Sequence, residues 1–207
     1  GYYTTPDGRM LSMPLNSSTP VLWYNKDAFE KAGLDPESPP RTWPEFEEMA
    51  AALQAAGYPC GLTTAWESWV HVENFSALHN QPLGTRANGF EGLDTELVFN
   101  QTAVGDHITK MGEWQQTKIF DYGGRTNQAA PKFYNQECAM FTESSAGYAG
   151  MGAHVTALAF GAGGVRPPTD PAAPTSAPMT ATQPDDASDA PASPGGGLLG
   201  GPPAVPP

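Results

Sequence analysis

LSMPLNSSTPVLWYNKDAFEKAGLDP, residues 11–36, is the stretch whose reading decides the fold. Two apolar, β-prone runs, residues 9–15 and 20–24, flank the polar loop Asn16, Ser17, Ser18, Thr19, a pattern that predicts strand, loop, strand. Asn25 carries the side-chain acceptor that a helix N-cap needs. A helix over residues 26–32 follows, with Ala28 and Phe29 inward, and Gly33 stands where a left-handed C-terminal residue is wanted. Pro36, Pro39 and Pro40 stop any continuation.

The same alternation continues down the chain. Thr42 with Glu45 forms a capping box with Pro44 in its first turn, and Phe46, Met49, Ala50, Leu53 and Ala56 make one apolar face of a helix that Gly57 ends. Cys60–Thr64 reads as a short strand. Residues 69–78 look helical and fail at Asn80 and Pro82. Residues 97–99 read as a strand. Thr102 opens a helix striped by Val104, Ile108, Met111 and Trp114, a further helix ends near Tyr134 and Asn135, residues 138–142 form another strand, and Ser144 and Ser145 cap the next helix. Strands alternating with helices predict an α/β layer structure. There is no internal repeat, and neither G-x-G-x-x-G nor G-x-x-x-x-G-K-[ST] follows a strand.

Composition divides the 207 residues. Residues 161–207 hold 12 of the 22 prolines and 8 of the 23 glycines, with no aromatic residue, so they offer too little apolar surface to offset the entropy of ordering. All five Trp, seven Tyr and nine Phe lie before them, in a stretch long enough for a sizeable core. Lys plus Arg number 10 against 22 Asp plus Glu, a net charge of -12, which excludes nucleic acid as a partner drawn by bulk electrostatics. No apolar run approaches the roughly 20 residues of a membrane span, and no basic-then-apolar leader opens the sequence. The expectation is a piece of a longer protein, since residue 1 is Gly and runs straight into strand-like sequence.

Two cysteines, Cys60 and Cys138, are too few for a disulfide framework or a four-ligand zinc site. They are either two separate buried thiols or one bridge. A bridge closing a loop of about 78 residues would add roughly 4 kcal/mol in an oxidising compartment.

The quoted stretch, followed by Arg41-Thr42-Trp43, resembles the extracellular solute-binding proteins of carbohydrate-type ABC importers. The likeness narrows with Cys60-Gly61, Trp66 to Trp69, Glu73-Asn74-Phe75-Ser76-Ala77, Asn88-Gly89-Phe90, Lys132-Phe133-Tyr134-Asn135 and the run from Cys138 to Ser144-Ser145. Together these are similar to the glycerol-3-phosphate-binding branch of that family over about residues 1–150. The resemblance implies an α/β, periplasmic-binding-protein-like (type II) fold of two hinged lobes. Residues 1–17 would be the end of lobe one, the segment 16–20 a crossing strand, and 18–155 lobe two. It also implies closure on a small ligand of the glycerol 3-phosphate or glycerophosphodiester type, delivery to the membrane permease subunits of an importer, a monomer, and a periplasmic or extracytoplasmic setting. No cofactor, metal or catalysis belongs to that reading. Residues 156–207 leave the family pattern as a disordered Pro/Ala/Gly-rich tail, and such runs are what GC-rich coding DNA yields after a reading-frame change, here near residue 152.

Ser18 and Ser144 match ligand-contacting serines of the family, with Ser17 and Ser145 as neighbours able to share the role and Asn16 as a weaker candidate. Read as residues, Ser144 and Ser145 are equally helix caps, and Ser17 and Ser18 equally a polar turn. The first turn of a helix suits a phosphate because it offers unpaired N–H groups and the positive dipole end. Trp66 follows a strand at the edge where α/β ligands sit, and is either a core aromatic or, by resemblance, a pocket wall. Trp23 and Trp69 are assigned to the core. His71, His79, His107 and His154 lack the spacing of a zinc helix and are expected at the surface or locally paired. Glu73 and Glu143 are the carboxylates that a carbohydrate-active enzyme would need. The alternatives are such an enzyme, a sugar or oligosaccharide-binding relative, and a remnant that binds nothing.

Overall fold

The computed structural model describes residues 3–5 and 7–154, so the expectations for residues 156–207 lie outside the described residues. The order is β1 (Pro20–Tyr24), α1 (Lys26–Lys31), α2 (Trp43–Ala55), β2 (Cys60–Thr64), a π-helical stretch Ser68–Asn74 running into α3 (Phe75–Leu78), the single turn α4 (Thr85–Asn88), α5 (Ala103–Thr117), α6 (Ala130–Tyr134), β3 (Cys138–Ser144) and α7 (Tyr148–His154). The strands form one sheet in the order β1-β3-β2, with β1 antiparallel and β2 parallel to the central β3.

Local chemistry explains the best-formed elements. The Asn25 side chain accepts from the Ala28 amide at 3.0 Å and starts α1. The Thr42 hydroxyl accepts from Glu45 N while Glu45 accepts from Thr42 N, the reciprocal box that satisfies two orphan donors of α2. Gly33 and Gly57 both lie at positive φ at the helix ends.

The sheet is covered on both faces, as strands without a polar side require. Along β1, Leu22 and Tyr24 join Phe29, Phe46, Leu53, Leu62, Met111 and Trp114 under α1, α2 and α5, while Val21 and Trp23 turn to Phe133, Phe141 and Met151 under α6 and α7. This period of two is the alternation of a pleated strand. Residues 118–121 flank the open edge of β2 through Leu62 N to Ile119 O at 2.8 Å and Asp121 N to Leu62 O at 2.8 Å. Asp121 pins that edge. Burial pushes its carboxyl up, but hydrogen bonds from Lys118, Lys132 and Gln115 outweigh this and hold it at about 2.

Cys60 and Cys138 are disulfide-bonded, with Cα atoms 4.6 Å apart across directly paired positions of β2 and β3. Of the two readings left open by the sequence, the bridge is the one observed.

Five expectations are corrected. Residues 9–15 are not a strand: Met10 alone makes a bridge, to Thr4, and Leu11, Met13 and Leu15 are exposed, because an apolar run becomes a strand only beside a partner. Residues 16–19 carry no regular structure, and the strand begins at Pro20. Leu97 makes one bridge, to Gly84, and Phe99 begins a 3-10 turn rather than a strand. In α5, Ile108 faces solvent and His107 takes its place inside. The histidines at 71, 79 and 107 are buried, not surface residues, although 71 and 107 do pair with each other. Among the described residues no helix is long and apolar enough to cross a membrane, and no cluster of three or more His, Cys, Asp or Glu is placed to hold a metal ion.

Candidate functional site

At the end of β3 and just beyond β2 lies a cavity of about 380 Å³ lined by Ser18, Trp66, Trp69, Asn127, Glu143, Ser144, Ala146 and Gly147. Its position beyond the C-terminal ends of the parallel pair β2 and β3 is where open α/β sheets hold ligands.

Each wall has a local cause. β2 ends in Thr64, and the chain turns at Trp66, whose φ of +52° places a bulky residue in the left-handed region. That conformation costs on the order of 1–2 kcal/mol and persists only where surroundings impose it. Here Trp66 N donates to Thr126 O at 3.3 Å and its carbonyl accepts from Val70 N at 2.9 Å, so the residue is clamped between a loop and the first helical turn. The indole is left 40 % exposed. Trp69 lies in the following π-helical stretch, and Asn127 opens a 3-10 turn on the facing loop.

Ser144 closes β3. Its hydroxyl accepts from Ala146 N at 3.0 Å, so it caps the 3-10 turn Ser145–Gly147 that leads into α7. Ser145 is committed elsewhere: its amide donates to Thr19 O at 2.8 Å and its hydroxyl accepts from Thr19 N at 3.3 Å. This pair of bonds holds the 16–19 segment against β3. Three of the N–H groups that follow Ser144 are therefore taken, Ser145 N by Thr19 O, Ala146 N by the Ser144 hydroxyl and Tyr148 N by Ser145 O.

The cavity thus brings together Ser18, Trp66 and Ser144. Ser17 and Ser145 are not in its lining, and neither is Asn16. Trp23 is buried in the core as expected, whereas Trp69, also assigned there, is a cavity wall. Asn127 and Glu143 are the other polar groups that sequence reasoning did not assign to a binding role. Glu143 lies 3 % exposed. Burial pushes its carboxyl above the ordinary carboxylate range, and hydrogen bonds from Ser144 N, at 2.7 Å to Oε1, and from the Trp66 side chain pull the other way. Gly147 makes room for it, since a Cβ there would stand 2.7 Å from Glu143 Cγ. Glu73, the carboxylate with which Glu143 was paired in the enzyme alternative, is exposed and outside the cavity. Two hydroxyls, a primary amide, a carboxyl and two indoles suit a small polyhydroxylated ligand, whose hydroxyls need hydrogen bonds and whose C–H faces pack on aromatic rings.

Residues 1–192 match the family described as bacterial extracellular solute-binding protein. The sn-glycerol-3-phosphate-binding periplasmic protein UgpB of Yersinia pestis is 48 % identical over 164 residues, 79 % of this chain and 37 % of that protein. The chain therefore spans about a third of the length of the curated relatives it matches. Among solved structures, the cyclic alpha-maltosyl-1,6-maltose binding protein from Arthrobacter globiformis superposes with a TM-score of 0.60 at 23 % identity, covering 82 % of this chain and 42 % of the other. UgpB from Mycobacterium tuberculosis, solved with glycerophosphocholine, superposes with a TM-score of 0.57 at 22 % identity, over 82 % of this chain and 40 % of that one.

Proposed function

The chain belongs to the bacterial extracellular solute-binding proteins and shares their type II periplasmic-binding-protein α/β fold, and from that premise we propose that it is part of the substrate-binding component of an ABC importer for sn-glycerol 3-phosphate or glycerophosphodiesters. The observation that carries the reading is the cavity at the strand ends, where Ser18, Trp66 and Ser144 converge. The 48 % identity to a glycerol-3-phosphate-binding periplasmic protein supports the ligand class. In this reading residues 18–155 are most of lobe two and residues 1–17 the end of lobe one.

The mechanism is binding without turnover. The indoles of Trp66 and Trp69 cover the carbon skeleton of the ligand, and the Ser18 and Ser144 hydroxyls donate hydrogen bonds to it. Closure of a second lobe over this face excludes water and supplies the remaining contacts, the charge partner of the phosphate among them. The closed protein then presents its cargo to the membrane permease. The buried disulfide favours an extracytoplasmic setting, since such bonds persist where the environment oxidises.

The test is an isothermal titration of the purified chain with glycerol 3-phosphate, glycerophosphocholine and maltose. Saturable binding of a phosphoglycerol compound, lost in Ser144→Ala or Trp66→Ala, is expected. Selective binding of maltose, or no binding by a chain that melts cooperatively, overturns the proposal.

A further inference from the structure

His71, His107, Thr64 and Thr142 form a buried polar cluster in the core, outside the cavity, and the binding mechanism above makes no use of it. We propose that His71 is a positioning residue: through Thr64 it fixes the peptide between Ala65 and Trp66, and so holds the Trp66 indole in place as a wall of the cavity. The inference rests on the functional reading above and adds the group that sets one wall of the site from within the core.

The chain leaves the sheet at Thr64, turns at Trp66 and, seven residues on, returns His71 to Thr64. His71 Nε2 lies 3.1 Å from Thr64 Oγ1 and 3.3 Å from Thr142 Oγ1, and His71 Nδ1 lies 3.1 Å from His107 Nε2. The Thr142 hydroxyl donates to Thr64 Oγ1 at 2.7 Å, while the Thr64 hydroxyl donates to Ala65 O at 3.1 Å and lies 3.4 Å from Thr142 O. A hydroxyl has one proton to give and a neutral imidazole one N–H. The assignment that keeps the bond to Ala65 O has His107 Nε2–H donating to His71 Nδ1, His71 Nε2–H to Thr64 Oγ1, and Thr64 O–H to Ala65 O. With the ring protons placed the other way, His71 takes the Thr64 proton and Ala65 O loses this donor. The run of donors therefore ends on the carbonyl of the peptide that leads into Trp66. The amide of that same peptide, Trp66 N, donates to Thr126 O at 3.3 Å. A peptide is planar, so holding both of its ends fixes its plane. The rotation from that plane to the Trp66 side chain is φ, which stands at +52°, where a bulky residue stays only when its surroundings impose it. His107 braces the arrangement from behind, its ring stacked on Phe75 with centroids 4.1 Å apart and 4.7 Å from the Trp43 ring.

The experiment labels the chain with fluorotryptophan and assigns two fluorine NMR signals by Trp66→Phe and Trp23→Phe. The signals are followed beside calorimetric titration with glycerol 3-phosphate, at a temperature where each variant is folded by circular dichroism. His71→Leu and Thr64→Val remove the brace from its two ends. Both are expected to move the Trp66 signal, leave that of Trp23, which packs in the other core cluster, in place, and weaken binding by about 10-fold or more, as loosening a supporting shell does. His71→Gln, whose amide donates to Thr64 and accepts from His107, and Thr64→Ser, which keeps the hydroxyl, are expected to restore the signal and bring affinity within about 3-fold of wild type. A purely structural role lowers the melting temperature but leaves the Trp66 signal and the affinity of the folded variants unchanged, and that result overturns the inference. A moved signal at unchanged affinity overturns it too. The wild-type chain alone supplies a further test: nitrogen NMR of the imidazoles is expected to find the His71 proton on Nε2, and a proton on Nδ1 overturns the inference even where every variant misfolds. If the folded wild-type chain binds no glycerol 3-phosphate, the functional reading fails, while the Trp66 signal and the His71 tautomer still decide what His71 does to the indole.

Discussion

Thr142 and Glu143 are neighbours on β3, yet they face opposite sides of the sheet into two different kinds of polar site. On the side of Thr142, the Thr142 hydroxyl donates to Thr64 Oγ1 at 2.7 Å, His71 Nε2 lies 3.1 Å from that same oxygen, and His71 Nδ1 lies 3.1 Å from His107 Nε2. These groups are buried and hydrogen-bond chiefly to one another, the Thr64 hydroxyl also donating to Ala65 O at 3.1 Å. On the side of Glu143, the carboxyl, Ser144, Ser18 and Asn127 border an open cavity and hold capacity in reserve. A polar cluster that closes on itself specifies a packing. One that stays open is available to a ligand, and a single residue step along a pleated strand separates the two.

The comparison breaks most severely at the far end of the same strands. Replacing Cys60 and Cys138 together by Ser should lower the unfolding free energy by about 4 kcal/mol, the expectation for a loop of this length, read as a reduced urea midpoint against the oxidised wild type. If the open site depends only on the strand ends, the refolded variant keeps its ligand preference at temperatures where it is native.

Within the closed cluster, His71→Leu strands the His107 ring nitrogen and the Thr64 and Thr142 hydroxyls without their shared partner. A loss of about 2–4 kcal/mol is expected from such buried, unsatisfied groups, measured by chemical denaturation. On the open side, Ser18→Ala should change stability by less than about 0.5 kcal/mol, as for exposed positions generally. Equal costs on the two sides would erase the distinction.

pH sharpens the contrast. Burial holds His71 and His107 well below the ordinary histidine value of 6.5, and their proximity adds to the effect on His107. The folded state therefore binds fewer protons than the unfolded chain below that value. Their contribution is fully present above pH 6.5 and is lost as the pH falls, at up to about 1.4 kcal/mol per pH unit for each ring. Glu143 has the opposite sign, because its raised folded pKa makes the folded state take up its proton first. Urea titrations between pH 7.5 and 5 should show the falling stability, with a shallower slope in His71→Leu.

A small effect is also expected of Glu143→Gln, which removes a buried charge that burial disfavours. Stability at pH 7.5 should stay within about 1 kcal/mol of wild type or rise slightly, measured by thermal melting. A large loss would show that Glu143 is a structural group, as closed as the histidine cluster.

What was legible in the sequence was local. The Asn25 cap, the Thr42–Glu45 box and the glycines that end α1 and α2 act within a few residues, so their spacing in the chain is their spacing in space. The face of residues 69–78 was less legible because Ser68–Asn74 is π-helical, and a wider turn shifts residues off an α-helical repeat. Trp69 reaches the cavity by way of that stretch. The closed cluster could not be read at all, since His71 and His107 are 36 residues apart and both belong to elements that look ordinary alone.

By itself, then, the sequence determined the α/β alternation and most element boundaries and, through its family pattern, pointed to Ser18, Trp66 and Ser144, which line one cavity. Only the tertiary structure decided that Ser145 is spent on Thr19, that the two cysteines meet, and that Thr142 is sealed inside while Glu143 borders a cavity. The reason is that composition and periodicity specify which face a residue takes, whereas the partners that meet it there arrive from segments up to 126 residues away and either complete its hydrogen bonds or leave them open.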